Sequence, residues 1–329
     1  MSPSKPREST HRVHAMSLPT TTGRGPRELP VHIVQAPKPG PTVLITANVH
    51  GDEATGVGAV LELVQRLPEL LTSGTVVLFP TLNPEGLSQR TREVPADHMD
   101  LNRAWPGDPR GGPTERLAHG FWTEFLRHDP DLVIDLHTDS PASIPYCIVD
   151  RHLKGSQRLL KKAELLAVAT GLTVLREYPR VRYVKYQLER SLSGAVLNTL
   201  AIPSLTIEAG PRLYLDANAV ETAVNSVLGV LTAAGLAACP APTHPSRVEG
   251  GPWRRESGLR VGQAGVLITH AQPGEHFGRG QLLAEIVGLD GVQRERLLSP
   301  RQGVVISLPE RTWVVAGIAA GTYAVLEGD

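Results

Sequence analysis

The sequence predicts an α/β fold: a mixed, mainly parallel sheet flanked by helices, followed by a C-terminal all-β region. Three observations carry this. Short apolar runs alternate with helical periodicity over residues 42–236, the signature of strands connected through helices. The composition then shifts at the Pro-rich stretch Cys239-Pro240-Ala241-Pro242-Thr243-His244-Pro245, a plausible boundary. Beyond it, glycines recur every few positions between short apolar runs, as closely spaced strands and turns require.

Residues 1–28 mix Ser, Thr, Pro, Arg and Gly without periodicity and read as a flexible or surface-lying arm. The α/β domain is expected over 29–238, a linker over 239–252 and the β domain over 253–329. Residues 42–49 form an apolar run bounded by Pro and Gly, the pattern of a buried strand. Residues 55–71 place Val57, Val60, Leu61, Val64, Leu67 and Leu71 at helical spacing, and 75–80 read as the next strand. A helix is expected over 113–127, with Pro113 at its start, where a missing N–H costs nothing. Strands follow at 131–136 and 145–149, a helix at 157–170, and a strand at 172–175. A helix at 194–200, a strand at 203–207 and an amphipathic helix at 217–236 close the domain. Residues 81–112 show no periodicity, and a loop that long inside a domain is usually functional or disordered. The C-terminal strands are expected around 266–268, 282–283, 304–306 and 313–315.

Composition narrows the partners. The 329 residues carry 33 Lys+Arg against 33 Asp+Glu, with 12 His. A net charge of zero gives no basic excess to bind phosphates, so neither nucleic acid nor an anionic membrane is an expected partner. Two cysteines, Cys147 and Cys239, exclude a disulfide framework or a cysteine-ligated zinc module. No stretch approaches the ~20 apolar residues of a membrane span, and residues 1–14 lack a signal-peptide core. The expectation is a cytoplasmic protein, with oligomerisation left open.

The chemistry concentrates at strand ends. Asn48-Val49-His50-Gly51-Asp52-Glu53 puts His50 and Glu53 three residues apart where a strand gives way to a helix. Asp135-Leu136-His137 places a second histidine at another strand's C-terminal end, the edge where open α/β sheets bind ligands. Two His and one carboxylate form the protein ligand set of a catalytic zinc site with one position open. Asp135 is a candidate partner for an imidazole. Taken alone, His-x-x-Glu also describes an ordinary polar turn. Gly56-Val57-Gly58 has Leu61 where a dinucleotide fingerprint needs its third glycine, and no Gly-x-Ser-x-Gly serine-hydrolase elbow occurs.

Further motifs accompany these residues in order: Asn83-Pro84-Glu85-Gly86, Arg92, Asp100-Leu101-Asn102-Arg103 and Glu208-Ala209-Gly210. On this series the chain resembles the succinylglutamate desuccinylase/aspartoacylase branch of the zinc carboxypeptidase-like superfamily. The resemblance implies that His50, Glu53 and His137 hold one zinc ion and that Glu208 is the general base. It implies that Arg92, with Arg90 as the alternative in a shifted alignment, stabilises the oxyanion. It further implies that Asn102 and Arg103 grip a substrate carboxylate. The activity implied is removal of the acyl group from a small, carboxylate-bearing N-acyl amino acid or similar amine. A zinc carboxypeptidase and a non-catalytic zinc-binding relative are the alternatives.

The sequence departs from the aspartoacylase pattern at one point. The arginine that the pattern places about ten residues before the glutamate falls here near Asn198, so acetylaspartate specificity is not implied. A basic, aromatic stretch with Tyr178, Arg180, Arg182, Tyr183, Lys185 and Arg190 is the alternative source of a substrate contact, or a solvated loop. The tail from Trp253 resembles the barrel-sandwich-like domain of this branch, expected to wall the active-site mouth. It contains no Lys that could carry biotin or lipoate, and its His270 and His276 read as surface residues.

Overall fold

The computed structural model describes residues 9–19, 28–310 and 312–327. The chain runs through β1 (Thr10–Ser17), β2 (Glu28–Gln35), β3 (Thr42–Ala47), α1 (Thr55–Leu70), β4 (Thr75–Phe79), α2 (Pro84–Gln89) and α3 (Pro113–Arg127). It continues with β5 (Leu132–Asp139), β6 (Tyr146–Val149), α4 (Gln157–Val168), β7 (Thr173–Arg176), α5 (Arg180–Lys185) and α6 (Leu192–Ala195), which widens into a π turn at Val196–Leu200. Next come β8 (Ser204–Pro211) and α7 (Ala217–Ala233). The C-terminal strands are β9 (Trp253–Ser257), β10 (Gly265–Thr269), β11 (His276–Phe277), β12 (Leu282–Val287), β13 (Gln293–Leu298), β14 (Gly303–Ser307), β15 (Trp313–Val314) and β16 (Thr322–Leu326).

The large sheet has the order β1-β2-β4-β3-β5-β8-β6-β7-β9-β16-β14-β11. Its centre is parallel: β3 pairs with β4 and β5, and β5 with β8. Strand β6 runs antiparallel to β8 but parallel to β7, so the sheet is mixed. Helices cover both faces, which is why its central strands are apolar on both sides. Along β3 the side chains alternate: Val43, Ile45 and Ala47 pack toward α1 and α7, while Leu44 faces the layer containing α3. In that second layer Phe79, Phe121 and Phe125 meet Trp105, whose ring stacks on Phe125 at 5.8 Å. Burying Trp105 pins the irregular segment 90–112 to the core.

Two expectations are corrected. The segment read as an N-terminal arm contains β1, an edge strand paired antiparallel with β2 from Thr10 to Ser17; residues 1–8 and 20–27 of that arm lie outside the described residues. The aperiodic segment 81–112 contains helix α2 and a single 3-10 turn, Leu101–Arg103.

The C-terminal region is all-β, as expected. Part of it extends the large sheet, because β9 pairs parallel with β7 (Leu175↔Trp253, Arg176↔Arg254). Strands β13, β12, β10 and β15 form a separate four-stranded sheet. The preceding segment packs on β7, with the Val248 amide donating to Thr173 Oγ1 at 2.9 Å. Among the described residues no helix is long and apolar enough to cross a membrane.

Candidate metal centre and its cavity

The turn after β3 is built to aim two side chains at one point. Asn48 adopts a left-handed conformation (φ 58°), which Asn tolerates better than most residues. Its side-chain amide donates to the carbonyls of His50 (2.8 Å) and Glu53 (3.0 Å), and its oxygen accepts from Thr81 Oγ1 at 2.6 Å. Gly51 passes so close to α2 that a Cβ there would lie 2.1 Å from the Gly86 carbonyl carbon. Only glycine fits that crossing.

The result is a compact ligand set. His50 Nδ1 lies 2.7 Å from Glu53 Oε1, and His137 Nδ1 lies 2.9 Å from Glu53 Oε2. Ligand atoms of His50, Glu53 and His137, all buried, lie within 4.8 Å of one another. Each imidazole turns its other nitrogen to a carboxylate: His137 Nε2 to Asp135 Oδ2 at 2.8 Å, and His50 Nε2 to Asp100 Oδ1 at 3.2 Å. This carboxylate–histidine arrangement fixes ring orientation and raises ligand basicity at metal sites. The donor set therefore fits a divalent ion that favours imidazole and carboxylate.

Electrostatics agree with that fit. Burial opposes ionisation of Glu53, but His50 and His137 outweigh it and hold its carboxyl well below the usual range. Burial likewise disfavours a charged His137, yet Asp135 and Glu53 raise its pKa well above the ordinary value. Negative charge is thus concentrated where a cation would sit. Asp100 is also held low against its burial, chiefly by its hydrogen bond to and charge attraction from His50.

Glu208 stands in β8 directly opposite His137 of β5 and Tyr146 of β6. Burial pushes its carboxyl up to about 7; Glu53 and Asp139 add to the rise, while His137 and Arg255 pull against it. A carboxyl poised near neutrality beside a cation site suits proton transfer. Arg92 donates to Glu53 Oε1 at 3.3 Å and approaches Asp100 at 3.6 Å. Arg90, its alternative, is exposed at the end of α2. Asn83 caps α2 and donates to the Glu93 carbonyl at 3.2 Å, so the Asn-Pro-Glu-Gly motif supports the segment that presents Arg92.

All seven candidate residues from the sequence, His50, Glu53, Arg92, Asn102, Arg103, His137 and Glu208, line one cavity of about 210 Å³. Asn102 Oδ1 accepts from the Leu192 amide at 2.8 Å, and Arg103 donates to the carbonyls of Tyr186 (3.0 Å) and Asn102 (2.6 Å). A larger cavity of about 360 Å³, which shares Asp150 in its lining, contains none of these groups.

The structure adds residues the sequence reading did not single out. Tyr146, Asp139, Asp150, Glu177 and Arg255 also line the smaller cavity. Tyr146 donates to Asp139 Oδ2 at 2.8 Å, and Tyr183, from the basic aromatic stretch, donates to Asp150 Oδ1 at 2.7 Å. Asn198 instead ties backbone groups, donating to the Arg151 and Gly194 carbonyls at 2.9 Å each. His270 and His276 are exposed. The available signal for Arg255 is the adjacent pair Arg254-Arg255 at the start of the C-terminal β region.

Comparison with known proteins follows the same lines. Residues 39–234 match the family model of the succinylglutamate desuccinylase/aspartoacylase catalytic domain. A curated N-alpha-acetyl-L-2,4-diaminobutyric acid deacetylase of Halomonas elongata is 38% identical over 110 residues, covering 33% of this chain and 32% of that protein. That alignment spans about a third of the relative's length. A solved succinylglutamate desuccinylase/aspartoacylase from Rhodobacter sphaeroides has a TM-score of 0.81 at 23% identity, covering 100% of this chain and 99% of its own. A metallo-carboxypeptidase from Burkholderia cenocepacia has a TM-score of 0.54 at 17% identity, covering 68% of this chain and 64% of its own. These likenesses show that the chain shares its fold with the first of these structures and, over about two thirds of its length, with the second.

Proposed function

Because the chain belongs to the succinylglutamate desuccinylase/aspartoacylase family, we propose that it is a zinc-dependent amidohydrolase acting on an N-acyl amino acid or similar small N-acyl amine. The observation that carries this reading is the convergence of His50, Glu53 and His137 in one small cavity that Glu208 also lines. The relative named for an N-acetylated diaminobutyric acid puts N-acetyl amino acids, diamino acids included, first among candidate substrates.

Zinc held by His50, Glu53 and His137 would supply Lewis-acid polarisation of the amide carbonyl and lower the pKa of water to about 7. Glu208 accepts the proton of the attacking water and later delivers it to the departing amine. Its pKa, pushed up to about 7 by burial, suits both transfers at neutral pH. Arg92 donates to the oxyanion as the carbonyl carbon becomes tetrahedral, an interaction worth about 3 kcal/mol where measured. Asn102 and Arg103 bind the substrate's carboxylate, for which a planar guanidinium is geometrically suited.

The test is a screen of the zinc-reconstituted protein against N-acetyl, N-succinyl and N-formyl amino acids alongside short peptides. Glu208→Gln should retain zinc and lose about 10²- to 10⁴-fold in kcat. Turnover of peptides alone would replace the deacylase reading with a carboxypeptidase. Full activity of Glu208→Gln would remove Glu208 from the chemistry.

A further inference from the structure

Arg255 enters the catalytic cavity from outside the motif series. It lies on β9, whose pairing with β7 places it beside Glu177, the residue that follows β7. Arg254 and Glu256 pair with each other at 3.2 Å on the opposite face of β9, leaving Arg255 to face the cavity. Its side chain is 23% exposed. It donates one hydrogen bond to Glu177 Oε1 at 2.6 Å and lies 5.2 Å from the centre of the Tyr178 ring. Its Nε is buried and has no hydrogen-bond partner. A guanidinium carries five N–H donors, and a buried one without an acceptor is unfavourable.

Arg103 faces the same cavity with Nε and one terminal nitrogen already committed to backbone carbonyls. Burial lowers the pKa of Arg103, and against the pull of Asp100 the positive charges of Arg92 and Arg255 lower it further. The acids beside the two guanidiniums have other partners as well. Glu177 also accepts from the Tyr178 amide at 2.8 Å, and Asp100 is engaged by His50 and the Asn102 amide. Burial pushes Asp150 up to about 7, so its negative charge is incomplete at neutral pH. Two guanidiniums lining one cavity, one of them with a buried N–H that has no acceptor, make a site suited to a further anion.

We propose that Arg255 is a specificity-determining residue that shares the substrate's carboxylate with Arg103, making β9 of the C-terminal region part of the substrate site. The proposal rests on the reading of the site as one for carboxylate-bearing N-acyl amines. It also gives the C-terminal region a chemical task beyond walling the cavity.

The experiment compares an N-acetyl amino acid with its carboxamide, which keeps the shape and loses the charge. In Arg255→Met, KM for the carboxylate should rise about 10- to 100-fold, the range for hydrogen bonds to a charged group. The loss of efficiency should come from this rise in KM with kcat little changed, and the preference for carboxylate over carboxamide should collapse. Arg255→Lys, which keeps the charge without the fork, should fall between. Combined with Arg103→Met, the loss should be smaller than the product of the single losses, because both residues hold one group. Equal losses for acid and amide, a fall confined to kcat, or multiplicative losses would overturn the proposal. If Arg255→Met does not fold, the Arg255→Lys series decides by the same criteria.

Calorimetric binding of the free amino acid and its amide to the zinc-loaded protein separates the two readings. Discrimination between them that Arg255→Lys weakens, without hydrolysis by the wild type, sustains the anion site and rejects the deacylase. Hydrolysis without discrimination rejects the anion site alone. Neither hydrolysis nor binding rejects both.

Discussion

Asp135→Asn isolates the contribution of one buried charge to metal affinity. Asp135 is 1% exposed, accepts from His137 Nε2 at 2.8 Å, and accepts from Thr46 Oγ1 at 2.7 Å through its other oxygen. Asparagine retains this geometry if its oxygen faces His137 and its NH₂ faces Thr46. The Thr46 hydroxyl can then turn its proton to the Ile134 carbonyl, 3.4 Å away. Only the charge is lost. Removing such an outer partner typically weakens metal binding about 10- to 100-fold, or about 1.4–2.8 kcal/mol. The deficit should depend on pH. Asp135 raises the affinity of His137 for a proton as well as for a metal, so the substitution also removes a competitor at low pH. Zinc competition against a chelating indicator should therefore show the full deficit at the alkaline end and a smaller one in mild acid. Wild-type affinity at alkaline pH would refute the assignment of His137 as a ligand oriented by Asp135.

Stability of the metal-free protein should fall as pH rises through neutrality. His137 is raised by Asp135 and Glu53 despite its burial, and burial lifts Glu208 and Asp150 to about 7, so the folded chain binds protons there that the unfolded chain releases. Each such proton gives a slope of about 1.4 kcal/mol per pH unit, fully favourable below the unfolded pKa and lost through the folded one. Thermal melts of the metal-free protein from mild acid to mild alkali check this, and a rising midpoint would contradict it. Zinc affinity should climb over the same range, because binding must displace the His137 proton; a pH-independent affinity would contradict that displacement. Gly51→Ala should destabilise the fold by about 1–3 kcal/mol and lower zinc occupancy, since the contact it creates is with backbone; an unchanged melt and full occupancy would show that the turn yields. Cys147 is buried with its thiol pKa raised by that burial, whereas Cys239 is half-buried. A maleimide should label Cys239 in the native protein and both thiols in denaturant, and native labelling of Cys147 would show that its strand opens.

What the sequence revealed and what it concealed divide by the range of the interactions involved. His50 and Glu53 were legible because one short turn after a strand carries both, and His137 because it ends a second apolar strand run; local spacing records each piece. Helix α3 was legible because Pro113 and the apolar period fix it locally. Strand β1 was hidden because an edge strand keeps most of its side chains in solvent, and THRVHAMS carries no apolar alternation. Helix α2 was hidden because six residues are too few for a period, and a cap from Asn83 defines it. The resemblance supplied a role for Arg103 but not what holds it, namely the Tyr186 carbonyl and the burial of Trp105 against Phe125. Arg255 lay furthest from view. It reaches the cavity through the pairing of β7 with β9, across the composition change that marks the boundary in the sequence. Strand-end motifs can therefore mark a cavity's metal-ligating cluster while leaving unwritten the opposite wall of that cavity.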